Sequence, residues 1–309
     1  MKSLASWTIA LIVVGVVACE LVARFALGLG TPPLSVAHET IEYMFKPNQD
    51  VDRFGNRQLY NAHGMRSGPV GESDRWILAI GDSVLNGGNL TDQDELATTE
   101  LAKDVAADGV FVGNVSAGSW GPANALAWVQ AHDLGLVETA VFVTHTQDET
   151  DVPRFGPLNP QTHPTEAPMS AAVELLTRYV APRLGIGSGA GRTNPSISPI
   201  TEEDKRQSAD EAFGDLLTVF AQEEIKACIV AHPLREEFLA GEPGASRFTS
   251  HAKTRDVPVV SLGEDVPRTP ASAERLYRDT IHITAAGQAE LAKALRTCID
   301  TARVPRASL

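Results

Sequence analysis

Basic residues are scarce in this sequence: its 309 residues carry 26 Lys and Arg against 39 Asp and Glu, a formal net charge of -13. Such a chain lacks the basic face that neutralises phosphates, which argues against a general nucleic-acid binder and disfavours a polyanionic substrate. Cysteine is scarcer still. Cys19, Cys228 and Cys298 have no metal-ligand spacing and make no disulfide framework, leaving only a Cys228–Cys298 bridge open. Cys228, inside an apolar run, reads as a small core residue. No internal repeat is visible. Nor is there a phosphate loop, because Gly81 to Gly88 lacks the Lys-Ser/Thr ending that nucleotide-binding loops need. The sequence therefore implies no cofactor and no metal. Hydrophobic residues make up 43% of the chain, enough to bury one large core with appendages.

Charge is also missing from Ser3 to Cys19, where Trp7 onward is rich in Ile, Val, Ala and Leu. A span needs about 17 to 25 apolar residues and a signal-peptide core about 7 to 15, so this run addresses the chain to a membrane by either reading. Glu20 and Arg24 can pair at i,i+4 as the helix emerges, and Gly28, Gly30, Pro32 and Pro33 stop it. The favoured reading is an uncleaved single-pass anchor in the inner membrane over residues 1–33, with Lys2 cytoplasmic and the rest in the periplasm or another extracytoplasmic space. The competing one is a lipoprotein signal, since Val16-Val17-Ala18-Cys19 resembles a bacterial lipobox and would lipidate Cys19.

Residues 34–74 carry turn signals around short runs and read as a β-rich extension. From 75 to 309 the pattern alternates. Strands are expected at Ile77–Ile80, Val110–Val115, Thr139–Thr144, Ala227–Ala231 and Val257–Leu262. Helices are expected at Asp94–Ala106, Ala123–His132, Ser170–Val180, Glu202–Glu223, around Ala245–Thr254, and at the C-terminus. Gly185 to Pro199, rich in Gly and Ser, reads as a loop. A βαβα rhythm implies a parallel sheet covered on both faces.

Ile77-Leu78-Ala79-Ile80 is too short for a helix and leads into Gly81-Asp82-Ser83, which places a serine hydroxyl where a buried strand ends. Alone, Gly-Asp-Ser is ordinary turn chemistry. Near the other end, Asp279 and His282 stand three apart just before a helix-forming run, so the carboxylate can accept from one imidazole nitrogen and leave the other facing outward. The chain order is thus Ser, Asp, His. At this point residues 75 to 300 resemble the SGNH/GDSL hydrolase superfamily, in its membrane-anchored bacterial form. The first block of that superfamily is Gly-Asp-Ser after a strand, and its last is Asp-x-x-His before the terminal helix. The resemblance implies an α/β fold, a flavodoxin-like three-layer sandwich with a central parallel sheet, and an ester substrate.

His282, oriented by Asp279, is a candidate general base to take the Ser83 proton. The resemblance further implies oxyanion-hole donors: the N–H of Ser83, a second from Gly118 or Ser119 after the strand ending at Val115, and a third at Gln147. Gln147 stands where the family's Gly-x-Asn-Asp block has Asn, with a stem one methylene longer. His145 replaces that block's Gly and reads first as a hydrogen-bonded strand-end histidine. Asp82, expected to bond across its turn, Asp148 and His232 join His145 as possible cleft residues. Three functions stay open. One is a membrane-tethered esterase removing acyl groups, acetyl foremost, from an envelope polysaccharide or a small ester. The second is a glycan O-acyltransferase with the same residues, and the third a catalytically weak glycan-binding scaffold on the same fold.

Overall fold

The computed structural model describes residues 2–73, 75–185 and 200–304, with side chains from residue 6 onward. The loop expected over 185–199 lies, but for its first residue, outside the described residues. The chain opens with α1 (Lys2–Leu21), extended by a wider π-helical turn over Val22–Ala26. Within it, Ser6–Ala26 is long and apolar enough to cross a membrane and is almost wholly uncovered by the rest of the protein. Two antiparallel hairpins follow, β1 (Ser35–His38) with β2 (Glu42–Phe45) and β3 (Gln49–Arg53) with β4 (Asn56–Tyr60).

β5 (Arg75–Gly81) starts the main sheet and runs into the one-turn helix α2 (Ser83–Asn86), followed by α3 (Ala97–Val105). Next come β6 (Val110–Ser116), α4 (Pro122–Ala131) and β7 (Val137–Thr144), then a segment made of α5 (Ala171–Glu174), a π-helical stretch over Leu175–Val180, and α6 (Ala181–Arg183). After α7 (Glu202–Gln222) the chain makes β8 (Lys226–Ala231), α8 (Arg235–Ala240), α9 (Ser246–Thr254), β9 (Val259–Ser261), α10 (Pro270–Leu276) and α11 (Ala285–Arg303).

The five sheet strands are all parallel in the order β6-β5-β7-β8-β9. Renumbered within the sheet this is 2-1-3-4-5, the flavodoxin-like order, in which the chain reverses direction across the sheet between β5 and β7. Both faces are covered, so the strands are apolar throughout and successive side chains serve two cores. Leu78 and Ile80 pack with Phe142 toward Trp128 of α4, Phe213 of α7 and Phe248 of α9. Ile77 and Ala79 pack with Val141 toward Leu101 of α3 and Leu291 and Leu295 of α11.

Several expectations need correction. α3 begins at Ala97 because Gln93–Glu95 form a tighter turn capped by the Asp92 carboxylate. β9 is shorter than the expected Val257–Leu262, since Pro258 has no N–H to give a ladder. Helices α8 and α10 were not anticipated, being too short for a periodic signal. Cys228 is more than a small core residue: it is bonded to Cys298, joining β8 to α11 across 70 residues.

Candidate active site

The Ser83 turn is built from the backbone outward. Asp82 caps α2, its Oδ1 accepting the Val84 N–H at 2.9 Å, which closes the first turn directly after β5. Gly87 ends that turn at φ +73 and donates to the Ser83 carbonyl at 2.9 Å; a Cβ there would meet Leu96 Cδ2 at 2.7 Å, so only glycine fits. Gln288 of α11 ties the turn to the C-terminal helix, donating to the Val84 carbonyl at 2.9 Å while accepting the Ala97 N–H at 3.0 Å. Ser83 is thereby fixed at the C-terminal edge of the sheet, beside the reversal of strand order where ligands bind in this fold.

The last block reaches the same point. Asp279 Oδ1 accepts the N–H groups of Ile281 and His282 at 2.9 and 2.7 Å, winding the loop so that Oδ2 meets His282 Nδ1 at 2.8 Å. The other ring nitrogen, Nε2, lies 3.1 Å from Ser83 Oγ. Against its partial burial, those N–H groups and the imidazole hold the Asp279 carboxyl below its usual range, so it stays an acceptor. With Nδ1–H given to Asp279, Nε2 is free to accept a proton from the serine.

A second row meets Ser83 from beneath. Asp82 Oδ2 is 3.0 Å from Ser83 Oγ and 3.1 Å from His145 Nε2, and that same nitrogen is 3.3 Å from Asp148 Oδ1. His145 Nδ1 accepts the Gln147 N–H at 3.1 Å, while Asp148 Oδ2 accepts from Thr144 Oγ1 and the His145 N–H, both at 2.9 Å. Against its burial, the His145 ring, the Val84 N–H and the Ser83 hydroxyl hold Asp82 at about 2. Burial, only partly opposed by His145, raises Asp148 to about 7, and its Oδ1 accepts no hydrogen bond. Ligand atoms of Asp82, His145 and Asp148 lie within 4.8 Å of one another, a donor set suited to a cation, with Asp82 and His145 already spent on hydrogen bonds.

Asp82, His145, Asp148 and His232, possible cleft residues from the sequence, are buried at no more than 3% exposure, His145 in the hydrogen-bonded strand-end role that was its first reading. His232 Nε2 donates to the Ile281 carbonyl at 2.8 Å and its ring stacks on Tyr277, so it steadies the His282 loop from below. Burial, then the nearby His145, lowers it to about 4, which leaves it neutral. Gly118 shares a cavity with Ser83, and the Tyr43 hydroxyl fixes its carbonyl at 2.7 Å. Ser119 is exposed at φ +58. Gln147 is exposed on the turn after β7, and its side-chain amide has no partner among the described residues. Asn86, passed over in the sequence, is buried beside Ser83 and donates to the Ser116 carbonyl at 2.9 Å, linking the Ser83 turn to the Gly118 loop. Its three-residue spacing from Ser83 was the available signal.

Among the described residues two sizeable cavities border Ser83, besides a cleft of only about 10 Å³ between Ser83, Thr91 and Gln288. The larger, about 850 Å³, is lined by Phe54, Leu90, Leu175, Tyr179, Val180 and Leu184, with His282 beside the serine. The smaller, about 170 Å³, is more polar, with Tyr43, Gln58, Tyr60, Asn89, His163 and Arg178 around Ser83 and Gly118.

These features define an α/β protein of flavodoxin-like topology with a serine, a histidine and an aspartate in hydrogen-bonded sequence at the sheet's ligand edge. No family model matches the chain, and no curated protein sequence does. Among solved structures it is similar to a GDSL-like lipase from Bacteroides thetaiotaomicron, at 9% identity and TM-score 0.43 over 74% of this chain and 89% of that one. It is also similar to a psychrotrophic esterase, EstA, from Pseudoalteromonas, at 11% identity and TM-score 0.41 over 74% and 97%. A two-domain esterase active on acetylated mannans matches at 12% identity and TM-score 0.46, over 76% of this chain and 52% of that one. At such identities and scores the site's own geometry must carry the functional reading.

Proposed function

We propose that this chain is a serine hydrolase of carboxylic esters, of the SGNH/GDSL kind, tethered by its N-terminal helix and working outside the cytoplasm. The observation that carries the reading is the row Ser83 Oγ, His282 Nε2 at 3.1 Å and His282 Nδ1 to Asp279 Oδ2 at 2.8 Å. His282 takes the Ser83 proton as Oγ bonds to the ester carbonyl carbon. Asp279 holds the tautomer and stabilises the imidazolium, which then protonates the departing alcohol. Water, deprotonated by His282, releases the acid. The developing oxyanion is assigned to the Ser83 N–H, to the Gly118 or Ser119 N–H, and to the Gln147 amide as a third donor.

The smaller, polar and tyrosine-lined cavity suits the alcohol side of the ester, and a sugar face meets such a surface well, so an acylated envelope glycan remains the assigned alcohol part. An acetyl group would fit the larger cavity but fill little of it. The buried Cys228–Cys298 bond favours an oxidising compartment, in keeping with a span over Ser6–Ala26. Cys19, exposed on that helix, keeps the lipidated alternative open. A second reading, acyl transfer to a hydroxyl, is favoured by Ser83 bordering two cavities, because an acceptor in the polar one would take the place of water. The scaffold reading is disfavoured by the complete row of proton-transfer groups.

The test is fluorophosphonate labelling of the full-length protein. Wild type is expected to gain one adduct, mapped to Ser83, and Ser83→Ala none; labelling elsewhere with retained ester hydrolysis removes the assignment. Adding a sugar acceptor to the acyl-enzyme then separates transfer from hydrolysis by the product formed.

A further inference from the structure

One wall of the larger cavity is built on the end of the N-terminal helix. Phe54, from the β3–β4 turn, and Leu175 and Tyr179, from the segment after α5, line that cavity together with Ser83 and His282. The Phe54 and Tyr179 rings meet edge to face at 5.4 Å. Behind them lie residues of the 1–33 tether. Ala23 and Leu29 are buried against Ala171, and Leu27, Leu175 and Tyr179 pack on the same cluster. The Leu27 carbonyl accepts the Phe54 N–H at 3.0 Å. Both halves of the wall are thus backed by the tether.

Polar bonds fix the same joint. The Glu20 carboxylate accepts the Ala171 and Ala172 N–H groups at 3.2 and 2.9 Å, satisfying two of the donors that open α5. Arg24 holds that carboxylate in turn, its Nε at 3.0 Å and its Nη2 at 2.6 Å. Glu174, at the end of α5, accepts the Gly30 N–H at 2.6 Å and a pair of bonds from Arg53 at 2.6 and 3.1 Å. Arg53, fully buried, also donates to the Tyr179 hydroxyl at 2.9 Å and to the Gly28 carbonyl at 3.2 Å. At Gly28, φ +63, a Cβ would run into the Asp52 carbonyl oxygen, so tether and β3 meet there backbone to backbone. Helices shorter than about 12 to 15 residues are marginal alone, and the wall segment is only α5, the π-helical stretch and α6. Its contacts with the tether therefore decide where the wall stands.

We propose that Glu20 is a positioning residue of this active site, and that the wall it holds sets which acyl groups Ser83 accepts. The proposal rests on the serine-hydrolase reading above and places the acyl group in the larger cavity. Through the Ala171 and Ala172 N–H groups Glu20 fixes the start of the segment. Leu175 and Tyr179, one and two turns further on, then give a bulky acyl group a firm side to pack against. An acetyl group, filling little of the cavity, depends on that side far less. The working enzyme therefore keeps Glu20 to Gly30: a form cut before Cys19 retains the joint, and one cut after Gly30 loses it.

The experiment uses the full-length protein in detergent with p-nitrophenyl acetate and p-nitrophenyl phenylacetate, active sites being counted by fluorophosphonate labelling. Glu20 lies outside both sheet cores, so its loss leaves the catalytic fold in place. Glu20→Ala should lower the phenylacetyl-to-acetyl ratio of kcat/KM by about tenfold or more, chiefly by raising KM for the phenylacetyl ester, and should speed hydrogen exchange at the Ala172 amide. Gly28→Ala, which opens the joint by crowding instead of by loss of charge, should shift the ratio the same way. Glu20→Gln, keeping one acceptor oxygen at the same reach, should fall between wild type and Glu20→Ala. Loss of both esters in equal proportion would mean that Glu20 serves the fold alone, and it overturns the proposal. So does an unchanged ratio, or a wild type that hydrolyses the acetyl ester and not the phenylacetyl one, and both leave the hydrolase reading standing. Absence of any ester hydrolysis and of labelling overturns both.

Discussion

Two Asp–His rows converge on one hydroxyl, and they differ in access to water. In the row through His282, the histidine and Asp279 side chains are 39% and 51% exposed; in the row through His145, the histidine and Asp82 are 2% and 4%. A proton-transfer group has to give its proton to an alcohol and take another from water within each turnover, which the exposed imidazole can do. The buried row has no such outlet. Its chemistry is to hold charge: Asp82 remains ionised beneath Ser83, its Oδ2 at 3.0 Å competing with His282 Nε2 for the one hydroxyl proton, while His145 holds Asp82 in turn. Sequence composition makes the two rows look alike, and burial gives them different work.

The sharpest way to break the comparison is to remove one row's ends. Ser83→Ala and His282→Ala should each lower kcat by about a thousandfold to a millionfold, and the double variant should cost little more, because the groups act as a unit. Asp279→Asn should follow with a loss of about a hundredfold to ten-thousandfold through the wrong tautomer. These are read from steady-state ester hydrolysis with labelling as an active-site count. His145→Ala, in the buried row, should show the reverse balance. It strips a buried carboxylate of its partner, costing about 3 to 5 kcal/mol of stability in urea unfolding, with a smaller kinetic loss in the protein that stays folded. Equal kinetic losses in His145→Ala and His282→Ala would erase the distinction.

Much of the exposed row was legible because its signals are local. Gly81-Asp82-Ser83 and Asp279-x-x-His282 are contiguous words, and the strands around them are short apolar runs. The buried row was not legible as a row, since Asp82 and His145 are 63 residues apart and meet only because β5 and β7 are neighbours across the reversal of strand order. His232 was read as a cleft residue from its place after a strand; what the sequence could not carry was the Ile281 carbonyl that covers it. Val173 and Leu176 have the spacing of a core-facing helix, yet both are exposed in the folded protein.

The Gln147 position sharpens the comparison from the oxyanion side. Gln147→Ala should lower kcat by about a hundredfold if the amide swings onto the oxyanion, and Gln147→Asn should hold or raise it. The Gln147 N–H bonded to His145 Nδ1 is backbone and survives both changes, so any effect belongs to the side chain. An enzyme indifferent to Gln147→Ala leaves the two backbone N–H groups as the whole hole. Separately, Cys298→Ala should cost about 2 to 5 kcal/mol of stability by freeing the β8–α11 link, with turnover of the folded enzyme little changed.

The smallest expected effect lies in how stability follows pH. Asp148 is raised by burial to about 7 in the folded protein, against 3.8 for an ordinary aspartate. A folded-state pKa above the unfolded one means that the folded form binds the proton more tightly. The contribution is therefore full below about pH 4 and is lost as pH climbs through about 7. Asp82 runs the other way: held at about 2, it adds stability above about pH 4 that is lost only as pH falls toward 2. Between pH 4 and 7 Asp148 thus pulls stability down as pH rises while His232, held at about 4, pushes it up, so the Asp148 part is read as the difference between wild type and a variant that cannot ionise there. Asp148→Asn keeps an oxygen to accept from Thr144 and the His145 N–H but cannot ionise, so its urea midpoint should fall less between pH 4.5 and about 7.5 than that of wild type. Parallel curves for the two proteins would mean that Asp148 is already ionised in the fold, and that the buried row carries one more negative charge beneath Ser83 than assigned.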